Sequence, residues 1–159
     1  MWGDIVRQVA EEENTMSTNV KSMLETKGRE VVTVSPDRSL LEVAQILNDH
    51  KIGAVIVIGM EDRIAGIFTE RDLVRAVASE GAGVLTQHVK TAMTTAVQRC
   101  REEQTVDELM GMMSAGRFRH VPVEKDGKLA GIISIGDVVK ARIREVETEA
   151  DHMKAYIAS

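Results

Sequence analysis

Aromatic side chains are nearly absent from this chain, with one Trp, one Tyr and two Phe among 159 residues. A core must therefore be built from Val, Ile, Leu, Ala and Met. Cysteine is also scarce. The single Cys100 excludes an intramolecular disulfide and makes a reducing cytoplasm the default compartment. It has no activating base nearby in sequence, so it reads as a structural or incidental thiol. No apolar run approaches the ~20 residues of a membrane span, so no membrane partner is expected. The N-terminus, with Asp4 and Glu11 to Glu13, lacks the basic-then-apolar pattern of a secretory signal. Basic charge is in deficit, with 20 Lys and Arg against 25 Asp and Glu, net charge −5. Nucleic-acid binding needs a basic stripe, so nucleic acid is not expected as the main partner. There is no Gly-x-Gly-x-x-Gly and no Gly-x-x-x-x-Gly-Lys phosphate loop. His50, His88, His120 and His152 are scattered, with no acid or thiolate at metal-ligand spacing.

What remains is 43% hydrophobic and 28% charged, the balance of a folded protein rather than a disordered one. It is organised as a duplication. Gly66-Ile67-Phe68-Thr69-Glu70-Arg71-Asp72 recurs 65 residues later as Gly131-Ile132-Ile133-Ser134-Ile135-Gly136-Asp137. Upstream the copies align at an offset of 66, Glu42 with Glu108, Val55 with Val121 and Val57 with Val123. The single gap falls in a turn, where duplicated units tolerate it.

Each copy predicts strand, helix, strand, strand, helix. In the first, the β-branched run 31–34 is a strand. Ser39-x-x-Glu42 caps a helix carrying Leu40, Val43, Ala44 and Leu47, with Gly53 as its stop signal. Residues 54–58 and 64–68 form a hairpin across the turn at 60–63, and a helix with Leu73, Val74 and Val77 starts after Thr69. The second copy predicts a strand at 97–100, a helix at 105–113, strands at 120–123 and 129–133, and a helix from Ser134 to about Val146. A unit of about 60 residues is marginal alone, so the two are expected to pack sheet to sheet as one pseudo-twofold body. The predicted organisation is an N-terminal extension (1–16), first repeat (17–80), linker (81–88), second repeat (89–147) and C-terminal helix extension (148–159). Residues 1–15 read as a detachable polar helix, with Met16 as an alternative start.

The β-α-β-β-α order, the twin Gly-Ile-x-(Thr/Ser)-x-x-Asp turn and Arg119-His120-Val121-Pro122-Val123 before the second hairpin resemble a tandem pair of CBS domains, the cystathionine β-synthase domain family. The resemblance covers about residues 17–147 and implies an α/β (α+β) fold. It implies a non-catalytic regulatory module that binds adenosine-containing ligands in clefts between the repeats. AMP leads the candidates, followed by ADP, ATP, NAD(H) and S-adenosylmethionine. It also implies a homodimer. With no effector domain attached, the output would be read by another protein in trans.

Carried onto this sequence, the resemblance gives the ribose to Asp72 and Asp137, since a carboxylate accepts hydrogen bonds from two vicinal hydroxyls. Thr69 and Ser134, at helix starts, would face a phosphate. Arg71, Arg119 and His120 are candidate phosphate partners. Thr33 would offer a hydroxyl from the first strand, Ala54, Val55, Val121 and Pro122 would lie against the adenine, and Gly53 is a further candidate binding residue. The residues also have a plainer meaning. Ser/Thr-x-x-acid is a helix capping box that needs no ligand. The sites are not equivalent: Gly53 and Ala54 stand where the second copy has Arg119 and His120, and Arg71 stands where it has Gly136. The competing expectation is a dimerisation or scaffold module whose clefts stay empty. A small enzyme acting on the nucleotide is a third reading, disfavoured because no general base or metal site accompanies the turn.

Overall fold

The computed structural model describes residues 1–7 and 18–159. Residues 2–7 are helical, while Met16 and the rest of the expected N-terminal helix lie outside the described residues. The element order is α1 (Val20–Lys27), β1 (Thr33–Val34), α2 (Leu40–His50), β2 (Ala54–Ile58), β3 (Ile64–Thr69), α3 (Glu70–Glu80), α4 (Val106–Gly116), β4 (His120–Lys125), β5 (Lys128–Ser134) and α5 (Ile135–Ala158). The fold is mixed α and β, with a three-stranded sheet β1-β2-β3 and a two-stranded sheet β4-β5. β1 runs parallel to β2, and β2 antiparallel to β3.

The first compact unit comprises Arg29–Arg99 and Val121–Ile132. One face of its larger sheet buries Val55, Val57 and Phe68 against Leu40, Val43 and Leu47 of α2. The other face buries Ala54, Ile56 and Ile67, and Leu129 and Ile132 of the β4–β5 hairpin pack on it. Sheet therefore meets sheet, as the duplication required. β2 reads as a continuous apolar run because both of its faces are covered. The hairpin turns at Asp126-Gly127, both with positive φ, the type I′ pairing that matches strand twist.

The second compact unit comprises Met1–Gly28, Cys100–His120 and Ile133–Ser159. α4 packs against α5, and Val20, Leu24, Leu109, Val138 and Ala141 are fully buried.

Two expectations change. Gly53 does not end α2; Lys51 does, in the left-handed conformation, with its N–H on the Asn48 and Leu47 carbonyls. Arg117 ends α4 in the same conformation. Residues 97–100 form no strand; only Cys100 makes an isolated bridge. The strand pattern there is weak, and Gln98 and Arg99 add no apolar alternation. The segment expected as the linker, 81–88, runs on to residue 91 as a folded stretch. It winds into the 3-10 turns Ala82–Thr86 and Val89–Thr91, and Val84 and Val89 are core residues of the first unit.

The leading segment of each repeat is crossed over. Ahead of repeat two, Leu40 N–H donates to Gln87 O (2.9 Å), Val89 N–H to Arg38 O (2.7 Å) and Lys90 N–H to Pro36 O (3.2 Å). At the start of repeat one, Val106 N–H donates to Thr18 O (2.9 Å), Val20 N–H to Gln104 O (2.8 Å) and Lys21 N–H to Glu102 O (3.0 Å). The two sets match bond for bond. The opening segment of repeat one serves the second unit, and the opening segment of repeat two serves the first. Leu24→Ala should therefore cost about 2–5 kcal/mol, as should Leu109→Ala, because both side chains are fully buried in the same unit. Urea denaturation measures it, and a loss near zero for Leu24→Ala would show α1 to be a detachable appendage.

Candidate functional site

Each duplicated turn ends a strand and starts a helix. In the first unit, Glu70, the first residue of α3, donates its N–H to the Gly53 carbonyl (3.0 Å). In the second, Ile135, the first residue of α5, donates to the Arg119 carbonyl (2.8 Å). This fixes the residue before β2 or β4 against the helix start, so Gly53 and Arg119 occupy matching positions. Ala54 is paired with Thr69 across β2 and β3. Thr33 is exposed on β1, paired with Ile56.

Both turns close as reciprocal capping boxes. Thr69 Oγ1 accepts from Asp72 N–H (3.2 Å) while Asp72 Oδ2 accepts from Thr69 N–H (3.0 Å). Ser134 Oγ accepts from Asp137 N–H (3.2 Å) while Asp137 Oδ2 accepts from Ser134 N–H (2.8 Å). The shorter Asp, not the Glu of the two other Ser/Thr-x-x-acid motifs, completes the box. Glu42 turns instead to Arg38 (2.7 Å). Two of the first three N–H groups of each helix are thus engaged, leaving fewer for a phosphate than a bare N-terminus presents.

The two carboxylates then diverge. Asp72 is 7% exposed. Its Oδ1 accepts from Arg75 (3.3 Å) and from Thr94 Oγ1 (3.4 Å). Asp137 is 20% exposed, and Lys27 Nζ lies 2.6 Å from its Oδ2. Burial pushes the Asp137 carboxyl up, but the Lys27 ammonium and the Ser134 N–H and hydroxyl outweigh it and hold the group below its ordinary range.

Gly66 explains how Thr94 arrives. Ile67 and Thr94 exchange backbone hydrogen bonds (3.0 and 2.9 Å), laying residue 94 along β3. A Cβ at Gly66 would sit 2.8 Å from the Thr94 carbonyl and 2.7 Å from Met93 Sδ. The glycine of the first copy is thus the space that lets this segment approach.

The candidates from the sequence fall into two sets. Thr33, Gly53, Ala54, Thr69, Arg71 and Asp72 lie in the first unit, with Arg71 exposed. Arg119, His120, Ser134 and Asp137 lie in the second. Arg119 is exposed and His120 half-buried, and Val121 and Pro122, next along β4, are buried. Sequence reasoning missed Lys27, Arg75, Thr94 and the buried Glu102. Arg75 stands three residues after Asp72 on one helix, so its spacing was a usable signal. Val20-Lys21-Ser22-Met23 also echoes Val89-Lys90-Thr91-Ala92-Met93, a repeat that points to the leading segments. Cys100 is buried, and its thiol is pushed up to about 12 by burial, so it is protonated at neutral pH.

The sequence matches the CBS domain over residues 16–79 and 89–144. The chain belongs to the CBS domain family. Among relatives, it is 31% identical over 155 residues to the CBS domain-containing protein CBSX3, mitochondrial, of Arabidopsis thaliana, covering 92% of this chain and 75% of that protein. Among solved structures, the CBS-domain containing protein ATU1752 of Agrobacterium tumefaciens is 61% identical, with TM-score 0.77 over 80% of this chain and 95% of that one. The CBS domain pair of protein MJ0100 is 26% identical, with TM-score 0.70 over 78% and 94%. That pair was solved in complex with 5′-methylthioadenosine and S-adenosyl-L-methionine. CBS pairs are regulatory modules, and some hold adenosyl ligands. Among the described residues of this chain, no His, Cys, Asp and Glu group is arranged to hold a metal ion, and no helix is long and apolar enough to cross a membrane.

The Asp137–Lys27 contact makes stability depend on pH. The folded carboxyl titrates below the unfolded value of about 3.9, so its contribution is present above pH ~4 and is lost as pH falls through the folded value. Denaturant midpoints from pH 7 to pH 3 should fall more steeply for the native chain than for Asp137→Asn. Parallel curves would show that Lys27 does not hold the carboxylate.

Proposed function

We propose that this chain is a non-catalytic regulatory module that binds adenosine-containing ligands at its duplicated turns. The observation that carries the reading is Asp137. It is an ionised, half-buried carboxylate at a helix start, with Lys27 in contact and Arg119 fixed to the same turn through its carbonyl. A carboxylate in that setting suits the two hydroxyls of a ribose, and the nearby cations suit a phosphate. The MJ0100 pair, held with two adenosyl compounds, supports the ligand class. AMP fits the charge of the second copy best, with ADP, ATP, NAD(H) and S-adenosylmethionine as the comparison set. Asp72 is more deeply covered and already has four hydrogen bonds, so the turns are expected to differ in affinity, Asp137 binding first. Ligand binding signals only through unequal affinity for two states, and a separate effector protein would read the shift.

One observation favours a second reading. Both Asp residues are satisfied by their capping boxes without a ligand, as a dimerisation or scaffold module would need. Calorimetry separates the two. AMP or another adenosyl compound should bind the native chain, and Asp137→Ala should weaken it about tenfold or more while a thermal melt shows the fold intact. No heat with any of the five ligands leaves the scaffold reading in place.

The phosphate role is tested separately. Arg119→Ala should weaken AMP far more than adenosine, since only AMP carries the charge. Equal losses for both would remove Arg119 from the site.

A further inference from the structure

The two duplicated turns differ in the charge set beside the carboxylate. At the second, Lys27 Nζ lies 2.6 Å from Asp137 Oδ2. The lysine side chain is 30% exposed and the aspartate 20%, so water and salt screen the pair less than they would on an open surface. Lys27 is also the basic residue in the last turn of α1, where the carbonyl end of the helix favours a cation. Two independent features therefore keep its ammonium at the turn. The bonds from Ser134 N–H (2.8 Å) and Lys27 both converge on Asp137 Oδ2. The first turn is built otherwise. Asp72 gives its Oδ1 to the neutral Thr94 hydroxyl and to Arg75, whose side chain is 74% exposed and so more fully screened. Glu70 adds a second acid to the first turn of α3, whereas Asp137 is the only acid in the first turn of α5.

The sign of that charge matters because adenosyl compounds differ in what they carry beside the same ribose. AMP has an anionic phosphate there. Adenosine and 5′-methylthioadenosine have no charge. S-adenosylmethionine has a sulfonium cation. A bare Asp137 would attract the sulfonium and repel the phosphate. Lys27 cancels the carboxylate, and the exposed Arg119, fixed to the turn through its carbonyl, adds a positive charge. With an effective dielectric between those of a protein surface and water, one unit charge about 6 Å away changes affinity roughly tenfold. Removing Lys27 should therefore act in opposite directions on a phosphate and on a sulfonium, which the loss of a merely structural contact would not do.

We infer that Lys27 sets the ligand class at the second turn, admitting adenosine 5′-phosphates and discriminating against the sulfonium compound S-adenosylmethionine. The inference rests on the adenosyl-binding reading above. It adds a preference opposite to the ligand with which the MJ0100 pair was solved. Titration calorimetry with AMP, adenosine and S-adenosylmethionine on the native chain and on Lys27→Met tests it. Binding that survives in Asp137→Ala belongs to the first turn and is subtracted. At the second turn the native chain should bind AMP about tenfold or more tighter than S-adenosylmethionine. Lys27→Met should shrink that ratio about tenfold or more, weakening AMP and strengthening S-adenosylmethionine. AMP affinity of the native chain should also fall as ionic strength rises to about 1 M, where charges are screened within about 3 Å. A ratio unchanged in Lys27→Met, or a native preference for S-adenosylmethionine, overturns the inference and leaves adenosyl binding standing. No binding of any of the three compounds overturns both. A thermal melt checks that Lys27→Met is folded. Should it not be, the native chain decides: AMP affinity that ignores salt, or no preference for AMP, overturns the inference.

Discussion

Backbone hydrogen bonds from Val20 to Gln104 and from Val89 to Arg38 tie the opening segment of each repeat to the other repeat's fold. The candidate sites depend on that exchange. It places Lys27 against Asp137 and Thr94 against Asp72, contacts spanning 110 and 22 residues. Without it, each duplicated turn would be a capping box and nothing more. With it, each carboxylate has a partner from outside its own helix, and those partners differ in charge.

That difference turns a symmetric duplication into two unlike sites. Thr94 offers a neutral hydroxyl to a carboxylate already deep in the fold. Lys27 offers a charge to a carboxylate that still meets solvent. The chain repeats a single backbone plan, including the helix-start bond to Gly53 or Arg119 and the left-handed caps at Lys51 and Arg117. It then varies the side chains on that plan. Backbone hydrogen bonds tolerate such variation because they do not involve the side chains that change.

α5 belongs to a different level of organisation. Its first turn completes the second carboxylate's capping box, and its middle buries Val138 and Ala141. Its end, residues 146–158, is exposed. A single helix thus begins at the candidate ligand turn and ends in an exposed stretch.

Much of this was legible in the sequence because it is local. The twin turn, the four capping motifs and the apolar spacing of α2 all depend on neighbours a few residues apart, and periodicity reports them directly. Strand β2 was legible because burial on both faces leaves an uninterrupted apolar run. Gly53 was misread as a helix stop because a glycine is a common stop, and only the fold shows a lysine adopting the left-handed turn two residues earlier. The strand expected at 97–100 rested on analogy, and the polar pair there could not sustain it. The sequence by itself determined the duplication, the order of elements and the residue types at each turn, since local hydrogen bonding and side-chain period set these. Only the tertiary structure decided which distant segment docks where, that Lys27 rather than Arg75 or Thr94 meets Asp137, and how deeply each carboxylate is buried. Those outcomes depend on chain crossings and desolvation, which leave no periodic trace along the chain.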